Sequence, residues 1–152
     1  MLNVIVPLDF SQTSLNAAHY AANMYKGKAD ISIILYHFYQ DGEDTETAKN
    51  YLESLKTELS SYVNTIETEL ESGNNFIDSI AAFAHVKGAF MIVMGLTGKT
   101  KTEQRFSGSN TLKLSEKEVC PVLIVPEDAV YKGISNALIT SELRSVEDTP
   151  TL

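Results

Sequence analysis

Tryptophan is absent from this chain, cysteine occurs once and proline four times, and no apolar run approaches the roughly 18 residues that span a bilayer. Each absence removes a class of protein. A lone Cys120 forbids an internal disulfide, so the composition suits a reducing compartment, most simply the cytoplasm. The N-terminus has no basic segment followed by an apolar stretch and a small-residue cleavage site, so no secretory signal is read there. Basic residues are in short supply as well. Twelve Lys and Arg against 20 Asp and Glu leave a net charge of −8, which argues against non-specific nucleic-acid binding. What remains is 152 residues, 43% hydrophobic and 21% charged, the balance of one globular domain with a real core and no membrane span.

The charge is unevenly spread. Nine Asp and Glu lie between Asp41 and Glu71, opposed only by Lys49 and Lys56. From Lys99 to Arg105 the sign reverses, with Lys99, Lys101 and Arg105 against Glu103. A basic loop on an acidic protein is where a small anion would go, although any surface loop carries some lysines.

Periodicity predicts five strands alternating with four helices. Leu2 to Leu8 is a Val- and Ile-rich run, a strand buried on both faces. Ser11 is a good N-cap for a helix carrying Leu15, Ala18, Ala22 and Tyr25, with Gly27 as its stop. Ile31 to Phe38 is the second strand, and Ala48, Leu52, Leu55, Leu59 and Tyr62 mark the second helix. Beyond Val63, Ile66, Thr68 and Leu70 alternate with Glu67, Glu69 and Glu71, as in a half-exposed edge strand. A helix with Ile77, Ile80, Ala81 and Ala84 on one face follows and closes at Lys87-Gly88. Phe90 to Met94 is a strand, Gly95 to Ser107 a loop, Ser109 to Glu118 a helix with Leu112 and Leu114, and Pro121 to Val125 the last strand. Such alternation implies an α/β fold with a mainly parallel sheet covered on both faces. Ligands of these sheets bind outside the carboxyl ends of the strands, where the winding reverses. That points to the loops after Leu8, Phe38 and Met94.

Two of those loops hold unusual residues. Pro7-Leu8-Asp9 places a carboxylate at the end of the first strand. After the fourth strand come Gly95-Leu96-Thr97-Gly98, nine residues, and then Gly108-Ser109-Asn110-Thr111. Glycines let backbone N–H groups approach an anion without Cβ interference. Gly108-Ser109 also opens a helix, whose unpaired N–H groups and positive dipole end favour phosphate oxygens. Gly98-Lys99-Thr100 imitates the end of a P-loop, but that motif requires glycine where Val93 stands inside a strand.

The spacing of Gly95, Gly98, Gly108 and Ser109 resembles the G-x2-G-x9-G-[S/T] signature of the ATP-binding branch of the universal stress protein family. Three further segments resemble the same family: Val4 to Ser11 its opening strand, Ile92 to Gly95 its fourth, and Cys120 to Val125 its last. The resemblance covers roughly residues 1 to 127. It implies a Rossmann-like open sandwich with five parallel strands in the order 3-2-1-4-5. It also implies a regulatory module that binds ATP, ADP or AMP, with or without Mg²⁺, in stress response. Pro7, Leu8 and Asp9 would lie beside the nucleotide, Asp9 near the ribose or a nucleotide-borne Mg²⁺. Backbone groups at Phe38 would meet adenine, and Met94 and Gly95 would line the pocket. Gly98, Gly108, Ser109, Asn110 and Thr111 would face the phosphates. Leu96 and Thr97 depart from the small or polar residues common there, so one phosphate contact would be either weakened or supplied by Lys99 instead.

Simpler roles stand beside these. Asp9 can cap the first helix together with Ser11. His19, His37 and His85 lack metal-ligand spacing, and His37 reads as a satisfied core or pocket residue. Cys120 reads as a small apolar group, and Met91 and Met94 as core. No Ser–His–acid set accompanies Ser109, and no general base or arginine arrangement for phosphoryl transfer is visible, so no catalytic residue is assigned. The alternatives are a structural or dimerisation domain of the same fold with an unused pocket, and a slow ATPase.

After Val125, Gly133 to Leu143 repeats part of the opening strand, with Asn136 against Asn3, Leu138 against Ile5, Ile139 against Val6 and Glu142 against Asp9. The expected organisation is a nucleotide-binding domain over 1–131. Residues 132–152 are then either a linker and first strand of a second repeat, or a C-terminal extension that adds an edge strand or exchanges with a partner. The first arrangement makes an intramolecular pseudo-dimer, the second a homodimer. A strand over Ala137 to Ile139 would pack on its own sheet or on a second protomer.

Overall fold

A computed structural model describes residues 1–40, 42, 44–96 and 108–138, without the side chains of Gly108 and Ser109. The elements run β1 (Leu2–Leu8), α1 (Gln12–Met24), β2 (Ile31–Tyr39), α2 (Thr45–Leu59), β3 (Thr65–Ser72), α3 (Phe76–Val86), β4 (Ala89–Leu96), α4 (Gly108–Ser115) and β5 (Val122–Pro126). All five strands are parallel, in the order β3-β2-β1-β4-β5. This is the expected α/β sheet.

The apolar run of β1 is continuous because both faces of the sheet are covered. Val4, Val6 and Leu8 join Ile33 and Leu35 under α1 and α2, which contribute Ala17, Ala18, Ala21, Ala22, Leu52, Leu55 and Leu59. Ile5, Ile34, Tyr36, Phe38, Ile92 and Met94 face the other way, under Ile77, Ile80, Ala81 and Ala84 of α3 and Leu114 of α4. Alanines along α1 let it lie close to the sheet.

Each of the first three helices starts where a side chain satisfies its orphan N–H groups. Ser11 Oγ accepts from Ser14 N, Asp44 from Glu46 N and Thr47 N, and Asn75 from Ile77 N and Asp78 N. Helix α1 ends at Met24, with Tyr25 as its C-cap, before the expected Gly27. The backbone at Gly27 has φ +73°, so it turns the chain rather than caps the helix.

The fourth strand is longer than the sequence predicts, and this is a correction. Gly95 and Leu96 pair with Val125 and Pro126, so Gly95 belongs to β4 and not to the loop. Helix α4 ends at Ser115, short of Glu118, whose φ of 52° is incompatible with helix continuation. Leu112 on it is exposed while Leu114 is buried, so one leucine of the pair contributes to the core.

Edge strand β3 is polar where it meets solvent, which discourages pairing with other chains. One of its glutamates is tied inward. The fully buried Tyr36 hydroxyl donates to Glu71 Oε2 at 2.9 Å. Burial first, and then this bond and the nearby carboxylates, push the Tyr36 phenol far above its ordinary value. A folded pKa above the unfolded one means the contribution is complete below about pH 10 and is lost as pH rises from there. Tyr36→Phe is therefore expected to lower stability by about 1.5 kcal/mol at neutral pH, since the acceptor is charged but water can reach it. It should also make the alkaline decline shallower. Denaturant titrations from neutral to alkaline pH that superimpose for both proteins would contradict this.

Beyond β5 the chain turns back on α1. Asn16 Nδ2 donates to the carbonyls of Pro126 at 3.2 Å and Ala129 at 3.0 Å, and Tyr131 meets Tyr20 edge to face. Gly133 to Leu138 is exposed and outside the sheet, with Leu138 89% exposed. Residues 139–152, which include the last five positions of the proposed repeat, lie outside the described residues.

Candidate functional site

The winding direction reverses between β1 and β4. Their ladder reaches Val4–Met91 and Ile5–Ile92, after an irregularity at Asn3. Among the described residues it goes no further. Yet β1 stays paired with β2 as far as Leu8–His37, and β4 with β5 as far as Leu96–Pro126. The two central strands thus part company towards their carboxyl ends, which opens a crevice at the switch point. Helices that cross back over a parallel sheet point their N-termini at this end, so α1 and α4 present theirs beside it.

One wall of the crevice is the end of β1. Pro7 and Leu8 are its last strand residues, paired with Tyr36 and His37. Asp9 follows and is half-buried. Its Oδ1 accepts from Ser11 N at 3.0 Å and from Ser11 Oγ at 2.5 Å. Ser11 alone takes the helix N–H, from Ser14, and Asp9 contributes to the cap indirectly by orienting Ser11. Both Asp9–Ser11 bonds fall on Oδ1, so among the described residues the Ser11 network leaves Oδ2 aside. Between them Phe10 adopts φ 59°, the left-handed region that bulky residues rarely enter.

The opposite wall is the end of β4. Met94 is fully buried, as expected of a core residue, and Thr111 Oγ1 lies 3.5 Å from its sulfur. Thr111 itself is buried, so its hydroxyl is turned towards β4 and anchors α4 to the sheet. Asn110, one residue earlier, borders a polar groove with Asn75, Asp78, Lys113 and Lys117. Within it, Lys117 Nζ reaches Asp78 Oδ1 at 2.8 Å.

Gly95 has a packing reason to be glycine. A Cβ there would abut the Thr13 carbonyl oxygen, and would stand 2.7 Å from the Thr13 carbonyl carbon and 3.1 Å from Ser14 N. The first turn of α1 rests directly on the β4 backbone. Phe38 buries its ring on the α3 side, 5.9 Å from Phe76, one residue past the β1–β2 pairing, so only its backbone is at hand near the crevice. Gly98 and Lys99 lie outside the described residues. Gly108 is the first residue of α4 and Ser109 the second.

Local sequence signals do not mark two participants, Phe10 and Thr13, and leave His37 as either a core or a pocket residue. Phe10 stands beside Asp9 with no local signal, Thr13 matters through its backbone, and His37 is engaged across strands. His37 Nδ1 lies 2.8 Å from the Leu8 carbonyl, which can only accept, so Nδ1 carries the hydrogen. It is a buried, satisfied residue, as the sequence suggests. Cys120 is half-buried, and burial raises its thiol pKa, which disfavours the thiolate, with partial opposition from the Ile92 backbone. Among the described residues no cluster of His, Cys, Asp or Glu could hold a metal ion on its own, and no helix is long and apolar enough to cross a membrane.

Known proteins share this fold. A solved universal stress protein in complex with cAMP superposes with a TM-score of 0.64 at 19% identity, covering 84% of this chain and 98% of that one. An Arabidopsis thaliana universal stress protein family member with AMP bound gives a TM-score of 0.58 at 16% identity, covering 85% and 94%. At such identities the likeness carries the fold alone. In sequence, a universal stress protein of Methanocaldococcus jannaschii is 29% identical over 140 residues, 80% of each chain. The family model for universal stress proteins matches residues 1–126, from β1 to the last residue of β5. The strand order agrees with that match, and the chain belongs to the universal stress protein family.

Proposed function

We propose that this protein is a regulatory module that holds ATP or a related adenine nucleotide in the crevice between β1 and β4. The observation that carries the reading is the parting of these strands beside the N-terminus of α4, which begins at the glycine of the G-x2-G-x9-G-S spacing. Gly98, Gly108, Ser109 and Asn110 would offer backbone N–H groups to phosphates, with Lys99 adding charge. Thr111 would hold α4 in place. Pro7, Leu8 and the Phe38 backbone would frame the base, with Met94 and Gly95 as the floor. The names of two structural neighbours, with cAMP and with AMP, support an adenine nucleotide. Mg²⁺ would arrive on the phosphates and meet the Asp9 oxygen left outside the helix cap, since such ions need only one or two carboxylates besides phosphate.

Binding without turnover is the expected behaviour, because no residue described at the crevice forms a general base or an arginine clamp. Calorimetry with ATP, ADP, AMP and cAMP, with and without Mg²⁺, alongside a phosphate-release assay, tests this. Rapid release would make the protein an ATPase instead. No heat with any of the four would favour the structural reading, which one observation supports: α1 packing alone suffices to explain Gly95. As a partner we propose a second copy or a second repeat, in a reducing compartment such as the cytoplasm. The exposed Ile124 on edge strand β5 and the exposed Val130, Ile134 and Leu138 would be covered by it. Light scattering on chains with and without residues 132–152 should separate in mass if the tail makes the contact.

A further inference from the structure

Phe10 occupies a conformation that glycine would take without strain, and the protein keeps a large ring there. The ring is held on two sides. It lies on His37 with centroids 4.6 Å apart and planes inclined by 31°, and on Tyr51 of α2 at 5.4 Å and 34°. His37 is itself fixed to the Leu8 carbonyl at the end of β1. Leu15 and Leu55 flank the same hollow as Phe10 and Tyr51. A closed circuit results: Leu8 holds His37, His37 and Tyr51 hold Phe10, and Phe10 is bonded to Asp9 and Ser11.

The neighbours of Phe10 are the groups that face the crevice. Asp9 Oδ1 takes the Ser11 N–H, and Ser11 Oγ takes the Ser14 N–H that opens α1. In this structure that geometry is built with residue 10 in the left-handed region. A change of region at residue 10 would reorient Asp9 relative to Ser11. Strain at a bulky residue persists only where its surroundings over-determine it. The two aromatic contacts supply that determination.

We propose that Phe10 is a positioning residue for the nucleotide site: its clamped ring locks the turn that presents Asp9 and the start of α1 to the crevice. The proposal rests on the adenine-nucleotide reading above. Through Tyr51 it also links α2 to that site, so a change at the exposed end of the stack would be felt at Asp9.

The test compares Phe10→Ala, Phe10→Gly and Phe10→Tyr with the unaltered protein, at a temperature where all are folded by circular dichroism. Two readouts are taken: calorimetric Kd for Mg-ATP, and NMR hydrogen exchange of the Ser11 and Ser14 amides without nucleotide. Alanine removes the clamp and keeps the strain, so it should weaken ATP binding about tenfold and speed exchange of both amides. Glycine removes the strain and lets the turn form unclamped, so it should weaken binding only about threefold and keeps the test alive should alanine fail to fold. Tyrosine, which retains the stack, should restore both readouts. ATP binding and amide exchange that are unchanged in Phe10→Ala would overturn the positioning role while leaving the nucleotide site standing. Failure of the unaltered protein to bind ATP would instead sink the nucleotide reading, and the role with it.

Discussion

Replacing Gly95 by alanine is expected to cost about 3 kcal/mol and roughly 10 °C in Tm, nearly as much as valine at the same position. The obstacle is the Cβ atom itself. It would press on the Thr13 carbonyl, with the carbonyl carbon 2.7 Å and Ser14 N 3.1 Å away. These are backbone atoms in the first turn of α1, held by the Ser11 cap and by a helix whose Ala17, Ala18, Ala21 and Ala22 are all fully buried. No flexible side chain can step aside. Either α1 lifts away from the sheet or β4 bends, and both lose contacts throughout the larger core cluster. Because alanine already carries the offending atom, the two substitutions should melt at similar temperatures with no nucleotide present. A melting curve for Gly95→Ala that matches the unaltered protein would show that α1 does not sit on β4 in this way.

Gly108→Val should behave in the opposite sense, with the fold kept and the ligand lost. Gly108 is the first residue of α4, so an added branched side chain would stand at the helix N-terminus beside its main-chain donors. The expected effect is about a 100-fold rise in Kd for Mg-ATP, equivalent to about 2.7 kcal/mol, because the main-chain donors are shielded from the phosphates. Thr111 and Leu114 should hold α4 to the sheet in the variant as they do now, so Tm in the absence of nucleotide should change little. Gly98→Val is expected to do the same. Retention of ATP affinity in both variants would place any nucleotide elsewhere on the protein. Measured together, the two glycine positions separate a residue needed for packing from one needed for binding, though both belong to one spaced motif.

That separation shows why motif spacing is an incomplete guide. The four glycine-loop positions look equivalent along the chain, and an anion explains each of them. Only Thr13, brought over Gly95 by the crossover from β1 through α1, reveals a second reason. Thr111 is similar. Along the chain its hydroxyl is one more phosphate donor, and only the fold shows its buried contact with the Met94 sulfur.

Much was legible in the sequence itself. Alternating runs of period 2 and 3.6, the Ser11 cap and the polar alternation of Glu67, Glu69 and Glu71 prescribe strands, helices and an exposed edge, because those signals act between residues a few positions apart. The parallel sheet follows from that alternation, and its order matches the one the family resemblance implies. What tertiary structure decided are the pairings between distant segments: α1 on Gly95, Tyr36 on Glu71, His37 on the Leu8 carbonyl, and the left-handed turn at Phe10 clamped by Tyr51. No local pattern encodes them. Each depends on which side chains the twisted sheet brings within a few ångströms, and at Phe10 that packing holds a backbone conformation contrary to the residue's own preference.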